Sequence, residues 1–135
     1  MNGMNTPTIV SLALMGVLLF LLGANVTRHR AIRGSSGGNQ QPTDPADRLL
    51  IAIRAHGNAA EYIPTLMVLV LVCSALTDSW WVGALAVAAL VSRTFHAVAL
   101  LASSTLASHG PMRDIGALGT YVTGVALGVT ALVAM

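Results

Sequence analysis

The chain has 135 residues, of which 55% are hydrophobic and 9% charged, and its formal net charge is +2 without a single lysine. Soluble domains carry roughly 25% charged residues, so this deficit indicates an integral membrane protein, and the length allows one domain. The arginines form no basic stripe of the kind that binds nucleic acid, so we expect no nucleic-acid partner. A single cysteine, Cys73, excludes an internal disulfide and a CxxC metal or redox site.

Four apolar segments are long enough for membrane helices, which need about 20 residues each. In chain order they cover residues 7–26, 47–76, 80–102 and 113–135. The first segment has no positive charge before it and several arginines after it, which is the reverse of a secretory signal peptide. We therefore expect a retained first helix and an all-α fold, an up-and-down bundle of four membrane-spanning helices.

The connecting loops set the predicted orientation. Residues 34–47 are rich in Gly, Ser, Pro and Asp and are typical of a flexible loop, whereas residues 77–79 form a short turn that makes the second and third helices a hairpin. Positive charge is enriched in cytoplasmic loops. We therefore expect the first and third loops in the cytoplasm and both termini outside. The arginines of the first loop are Arg28, Arg30, Arg33 and Arg48.

The second segment contains the polar stretch RAHGNAAEYIP, residues 54–64. Arg54, Asn58 and Glu61 are spaced at i, i+4 and i+7, which places them on one helix face, while His56 points to the other side. A charged side chain at membrane depth costs about 2.5–3.5 kcal/mol or more, so these residues must face protein or a water-filled cavity.

The rise of about 1.5 Å per residue along a helix places further polar residues at the same depth in the membrane. Arg93 and His96 of the third helix reach the depth of Glu61 in the inner leaflet, and Arg113 lies near the cytoplasmic surface. One interpretation is a structural network in which Glu61 pairs with Arg93 and nothing binds. The other is a polar cavity in which arginines bind an anion and Glu61 and Asn58 bind an ammonium or amide group. We favour the cavity, because a structural pair does not need so many polar residues.

The fourth helix carries small residues at every fourth position. This pattern lets another helix approach closely, and packing within the chain and packing between copies both fit it. The residues are Gly116, Thr120, Gly124 and Gly128.

Other site chemistries find little support in the sequence. The four histidines lack metal-ligand spacing, so we expect no metal site. Neither a GxSxG elbow nor a phosphate-binding loop is present. A transporter remains a possible class, since intramembrane polar residues often mark pathways, but four helices are few for one transporter subunit.

The pattern R-x-H-x-N-x-x-E-Y-x-P over residues 54–64 resembles the signature of the MAPEG family, the membrane-associated proteins in eicosanoid and glutathione metabolism. Arg93 and His96 resemble the family's R-x-x-H on the third helix, and Pro111-Met112-Arg113 resembles a Pro-x-Arg at the start of the fourth. The basic RHRAIR stretch at residues 28–33 also has a family counterpart. The stretch HGNAAEYIP is most similar to uncharacterised bacterial members.

The resemblance implies a homotrimer of four-helix subunits, which we expect in a bacterial inner membrane. It also implies that glutathione, or another low-molecular-weight thiol, binds at subunit interfaces near the cytoplasmic side. Arg113 resembles the arginine that stabilises the thiolate in catalysing members. The implied thiol-binding residues are Arg30, Arg54, His56, Asn58, Glu61, Tyr62, Arg93 and His96.

Three departures from the family pattern concern catalysis. The chain between His96 and Arg113 is longer, Leu100 occupies the place of a site tyrosine, and Asp114 directly follows Arg113, where it could neutralise the guanidinium. The sequence therefore supports thiol binding better than it supports catalysis. The leading hypothesis is a glutathione-dependent transferase or peroxidase acting on lipophilic electrophiles. The alternatives are a non-catalytic lipid- or thiol-binding membrane protein and a purely structural polar core.

Overall fold

A computed structural model describes residues 4–135 and contains four α-helices. Each is long and apolar enough to cross a membrane, with the mean hydropathy of its most apolar part between 1.6 and 2.4. Residues 4–135 contain no β-strand. The predicted fold class is thereby confirmed, and the chain is an integral, multi-pass membrane protein. The helices are α1 (Thr6–Ser35), α2 (Arg48–Leu76), α3 (Trp80–Ala102) and α4 (Pro111–Val133).

Helix α1 is longer than the sequence predicted. It continues past Val26 to Ser35, and its 30 residues span about 45 Å. The prediction was wrong here because the apolar run marks only the part of a helix that suits lipid, and the three arginines and the alanine that follow are good helix formers in water. The chain turns away just after the helix at the left-handed Gly37 (φ 69°), and the Gly38 N–H donates to the Arg33 carbonyl at 3.0 Å.

One ion pair closes the loop between α1 and α2. Nη2 of Arg33 donates to both carboxylate oxygens of Asp47, at 2.6 and 2.7 Å. Asp47 is also the N-cap of α2, and its Oδ1 accepts from the Leu49 N–H at 2.8 Å. The hydrogen-bonded Arg33 guanidinium holds the pKa of the Asp47 carboxyl below its usual value.

Helices α2 and α3 form the centre of the bundle. Each contacts all the other helices, whereas α1 and α4 do not touch each other within residues 4–135. Small side chains line the α2 and α3 surfaces in the core, including Ala55, Ala59, Ala86 and Ala89. Small residues let membrane helices approach closely, and this close approach positions the polar side chains described below.

Helix α4 begins at Pro111, two positions before the predicted start, because proline is favourable in the first turn of a helix. Its small residues face the chain's own helices. A Cβ on Gly116 would lie 2.7 Å from the His96 Cβ of α3, and one on Gly124 would lie 3.6 Å from Leu66 of α2. Around Gly128 no atom lies within 4 Å of such a Cβ. At Gly116 and Gly124 the small residues of α4 therefore serve packing within the chain.

Candidate functional site

Arg93 lies at the centre of the polar residues. Its side chain projects from α3 into the bundle and is only 1% exposed. Nη2 donates to Oδ1 of Asn58 on α2 at 2.6 Å, and Nη1 donates to Oγ1 of Thr120 on α4 at 3.3 Å. The Thr120 hydroxyl in turn donates to the Gly116 carbonyl at 2.8 Å. One guanidinium therefore joins three helices.

Two tyrosines extend this arrangement toward the surface of the chain. The Arg93 guanidinium carbon lies 5.2 Å from the centre of the Tyr62 ring, within the range of a cation–π contact. The hydroxyls of Tyr62 and Tyr121 lie 3.3 Å apart, and their rings meet edge-on at 5.7 Å. We name these residues the Arg93 cluster: Asn58, Tyr62, Arg93, Thr120 and Tyr121.

The ion pair considered from the sequence, between Glu61 and Arg93, does not form. The ion pairs among residues 4–135 are Arg33–Asp47 and His109–Asp114. Glu61 is exposed, whereas the half-buried Asn58, one turn earlier on the same helix face, meets the Arg93 guanidinium. A structural network built on a Glu61–Arg93 pair is therefore wrong.

Glu61 belongs to an open polar face on α2. Arg54, Asn58 and Glu61 share one side of the helix, as their spacing predicted. Arg54 and Glu61 are both exposed, and neither forms a hydrogen bond or ion pair within residues 4–135. The face lies inside a helix that crosses the membrane. Charges in such a position need polar partners, and the described part of the chain does not provide them.

His56 and Arg30 lie elsewhere. His56 is two residues from Asn58, which turns it about 200° around α2, and its ring packs on Gly23 of α1. A Cβ on Gly23 would lie 3.3 Å from the His56 Nε2. Both His56 and Arg30 line a groove of about 520 Å³ between α1 and α2. One chain therefore does not bring these two residues to the open polar face.

His96 and Arg113 meet where α3 ends and α4 begins. Nδ1 of His96 donates to the backbone carbonyl of Arg113 at 2.9 Å, which fixes the start of α4 against α3. The Arg113 guanidinium donates to the Ser108 carbonyl at 2.9 Å. The Asp114 carboxylate faces His109 at 3.6 Å instead of Arg113. Neutralisation of Arg113 by Asp114, suggested by their adjacency, is therefore not observed.

Two members of the Arg93 cluster were missed by sequence reasoning. The sequence pattern marks Thr120 only as one of the small residues on α4, and it assigns no role to Tyr121. A usable signal existed, because the chain has only two tyrosines, and both lie about two turns from a predicted site arginine. Leu100, where the resemblance led us to expect a site tyrosine, is buried in the hydrophobic core.

The fold and these residues define a class of protein: a four-helix, multi-pass membrane protein with a polar cluster inside its membrane-spanning part. The model of the MAPEG family matches residues 8–133, nearly the whole chain. The chain therefore belongs to the MAPEG family, which is associated with glutathione-dependent transfer and eicosanoid metabolism, and the predicted resemblance is confirmed. A comparison with curated proteins gives no match.

Proposed function

We propose that this protein is a membrane-bound, glutathione-dependent transferase or peroxidase that acts on lipophilic electrophiles. One observation carries the proposal: Arg54 and Glu61 stand exposed on a membrane-spanning helix without a partner in residues 4–135. Because unpaired charges are costly at this depth, they favour a polar ligand that enters from outside the chain.

The charges on the open polar face suit a zwitterionic peptide. Arg54 and Glu61 lie seven residues apart, which separates them by about 10 Å along the helix axis. Glutathione carries carboxylates and an ammonium group within a comparable length. Arg54 then binds a carboxylate, Glu61 binds the ammonium group, and Asn58 and Tyr62 contact the peptide between them. Another low-molecular-weight thiol with the same charges would fit equally well.

The ligand site is completed in a homotrimer. Arg30 and His56 lie on the opposite side of α2 from Glu61, so one chain cannot direct all three at one molecule. A second copy that docks its α1–α2 groove near the open polar face brings the two sets together. This arrangement also covers Glu61 and removes it from lipid.

Arg113 supplies the chemistry in this proposal. A free thiol has a pKa of about 8.5, and a neighbouring guanidinium favours the thiolate. The thiol proton leaves to water, and the thiolate sulfur attacks an electrophilic carbon in the lipid phase. The sulfur–carbon bond forms while the bond to the leaving group breaks. With a hydroperoxide, the thiolate sulfur attacks the terminal oxygen, the O–O bond breaks, and the other oxygen takes a proton from water and leaves as the alcohol. The sulfenic acid formed on the first glutathione is then attacked by the thiol of a second glutathione, which gives the disulfide and releases water.

A second candidate is a non-catalytic lipid- or thiol-binding protein of the same fold. The observation that favours it is the position of Arg113, whose guanidinium is held by the Ser108 carbonyl. The burial of Leu100, where a site tyrosine was expected, favours it as well.

Ligand binding is tested by the melting temperature of detergent-purified protein with and without millimolar glutathione. Glu61→Gln is the informative variant, because Glu61 has no hydrogen bond in the described chain and its loss should leave the fold intact. Asp44→Asn, which alters an exposed loop carboxylate, is the control. We expect glutathione to raise the melting temperature of the parent and the control but not of Glu61→Gln. Equal shifts in all three proteins would contradict the proposed site.

The shared site is tested by mixing two variants. Glu61→Gln and Arg30→Ala should each lose glutathione binding as homo-oligomers. When both are co-expressed, some interfaces combine the intact open polar face of one copy with the intact groove of the other. We expect those mixed oligomers to regain part of the binding. No recovery in oligomers that contain both variants, as shown by mass spectrometry, would contradict a site between copies.

We further propose that the protein lies in a bacterial inner membrane with the first and third loops in the cytoplasm. The exposed arginines at the end of α1 support this orientation. Single cysteines introduced at Ser36 and Asp78, in a Cys73→Ala background, should react with an impermeant thiol reagent from opposite sides of the membrane.

A further inference from the structure

Arg93 determines which atom of Asn58 faces it. A guanidinium only donates hydrogen bonds, so the Asn58 atom 2.6 Å from its Nη2 must be the amide oxygen. The opposite rotation of the amide would set two donors against each other inside the bundle. Because Arg93 is itself held by Thr120 and by the Tyr62 ring, it cannot turn away to relieve such a contact.

This orientation leaves the amide nitrogen of Asn58 free to donate. Its contact with Arg93 is the hydrogen bond that the side chain makes within residues 4–135, and no described group accepts from its Nδ2. Asn58 is half-buried on the open polar face, where water is scarce once lipid or a second copy surrounds it. Two unused amide hydrogens in that position favour an acceptor that comes from outside the chain.

The charges nearby indicate what kind of acceptor fits. Arg54 precedes Asn58 by one turn on the same face and is exposed, and the buried Arg93 lies directly behind Asn58 without a carboxylate partner. Arg54 and Arg93 therefore both add positive charge near Asn58. Glu61, one turn further along the same face, adds negative charge at that end of the face. An anionic oxygen acceptor is favoured beside Asn58, and a cationic donor beside Glu61.

We infer that Arg93 is a positioning residue, which makes Asn58 an obligatory hydrogen-bond donor to a carboxylate of the bound thiol peptide. The identity of the ligand rests on the proposed function, whereas the orientation of Asn58 does not. A lysine would also only donate and would keep the Asn58 oxygen facing it, but it lacks the two-nitrogen fork with which Arg93 joins Asn58 and Thr120.

Asn58→Asp tests two claims separately: that an oxygen of residue 58 faces Arg93, and that residue 58 donates to the ligand. The aspartate keeps an oxygen toward Nη2 of Arg93 but has no hydrogen to donate outward. We expect its melting temperature without ligand to equal or exceed that of the parent. Its affinity for glutathione, measured by calorimetry in detergent, should fall at least about tenfold, since a hydrogen bond to a charged group is lost and a second carboxylate repels the ligand. Asn58→Leu should lose both stability and binding.

Arg93→Gln gives the complementary readout. A glutamine amide can both donate and accept, so it no longer dictates which Asn58 atom faces it, and the preference for a donor at residue 58 should weaken. We therefore expect Asn58→Asp to weaken glutathione binding far less in the Arg93→Gln background than in the parent. Asn39→Asp, in the exposed first loop, controls for the added charge. A purely structural Arg93 would lower stability without changing this ratio.

Two outcomes overturn the inference, and both differ from a failure of the proposed function. If Asn58→Asp melts as low as Asn58→Leu, Arg93 does not face the amide oxygen. If Asn58→Asp binds glutathione as tightly as the parent, Asn58 does not donate to the ligand. If the parent itself binds no glutathione, the proposed function fails, and the ligand-free melting temperatures still decide the orientation of Asn58.

Discussion

The buried Arg93 cluster and the ion pairs at the ends of the helices use similar polar groups in opposite settings. Arg33 and Asp47 approach to 2.6 Å with side chains 25% and 18% exposed, and His109 and Asp114 approach to 3.6 Å while largely exposed. Arg93 is almost completely buried and pairs with no carboxylate. The two ion pairs therefore lie near water, where the attraction between opposite charges is weakest.

This contrast shows that the cost of losing a polar group follows from burial. Ion pairs near water typically contribute about 0–1 kcal/mol, because water competes for both partners. A buried donor or acceptor that loses its partner costs about 1–3 kcal/mol, because nothing replaces the lost hydrogen bond. Arg93 serves Asn58 and Thr120 at once, so its removal affects two such groups on two different helices.

Arg93→Met should give the largest loss of stability. We expect the free energy of unfolding to fall by about 3 kcal/mol, since Asn58 and Thr120 both lose their donor and the side chain that joins three helices is shortened. The measurement is unfolding by SDS titration of protein in mild detergent, followed by circular dichroism. Arg28→Met, on the exposed end of α1, is the matched control and should change stability little. Similar losses in both variants would show that burial does not set the cost.

Arg113→Ala is expected to affect catalysis more than stability. If the protein is a transferase, conjugation of glutathione to a chlorodinitrobenzene should slow by about 100-fold, equivalent to about 2.7 kcal/mol in the barrier, because the thiolate loses a neighbouring cation. The unfolding free energy should change little, since the half-buried guanidinium makes one hydrogen bond, to a loop carbonyl. Retained glutathione binding with no turnover in the parent would favour the non-catalytic candidate.

Gly116→Ala tests the packing on which the Arg93 cluster depends. The new Cβ would lie 2.7 Å from the Cβ of His96, and α4 would have to move away from α3. We expect a loss of about 2 kcal/mol in unfolding free energy. Gly128→Ala is the matched control, because its Cβ meets no atom within 4 Å, and the better helix propensity of alanine should leave stability equal or slightly raised. Equal effects at both positions would argue against close α3–α4 packing.

More of the fold than of the candidate site could be predicted from the sequence. The four membrane helices follow from apolar runs, because insertion into lipid depends on the average hydropathy of a segment. The shared face of Arg54, Asn58 and Glu61 follows from helical spacing alone. The end of α1 was missed because a helix can continue in water, where hydropathy carries no information about it.

The partner of Arg93 could not be predicted for a different reason. Spacing gives the depth of a residue, but the rotation of α3 relative to α2 decides whether a guanidinium meets Asn58 or Glu61. That rotation is set by packing between helices, with Gly116 against His96 and Thr120 within reach of Arg93. The same packing brings Tyr121 to Tyr62; the spacing of each tyrosine from an arginine could mark both as site candidates, but not their contact with each other.

Asp47→Asn should show the smallest effect and the clearest pH dependence. Asparagine caps a helix as well as aspartate does, so the variant removes mainly the ion pair with Arg33, worth at most about 1 kcal/mol. Because Arg33 lowers the pKa of the Asp47 carboxyl below its unfolded value of 3.8, the ionised carboxylate stabilises the folded state above that pH. This stabilisation is lost as the pH falls through the lowered folded-state pKa.

Unfolding of the parent and Asp47→Asn should therefore differ at pH 7 and converge in strongly acidic solution, with Asp44→Asn as the control for a loop carboxylate. A difference that persists unchanged at low pH would mean that capping by the aspartate, and not its charge, stabilises the start of α2. A loss at pH 7 as large as that of Arg93→Met would mean that the loop between α1 and α2 holds the bundle as firmly as its buried centre. The Arg33–Asp47 ion pair would then contribute as much to stability as the buried contacts of Arg93.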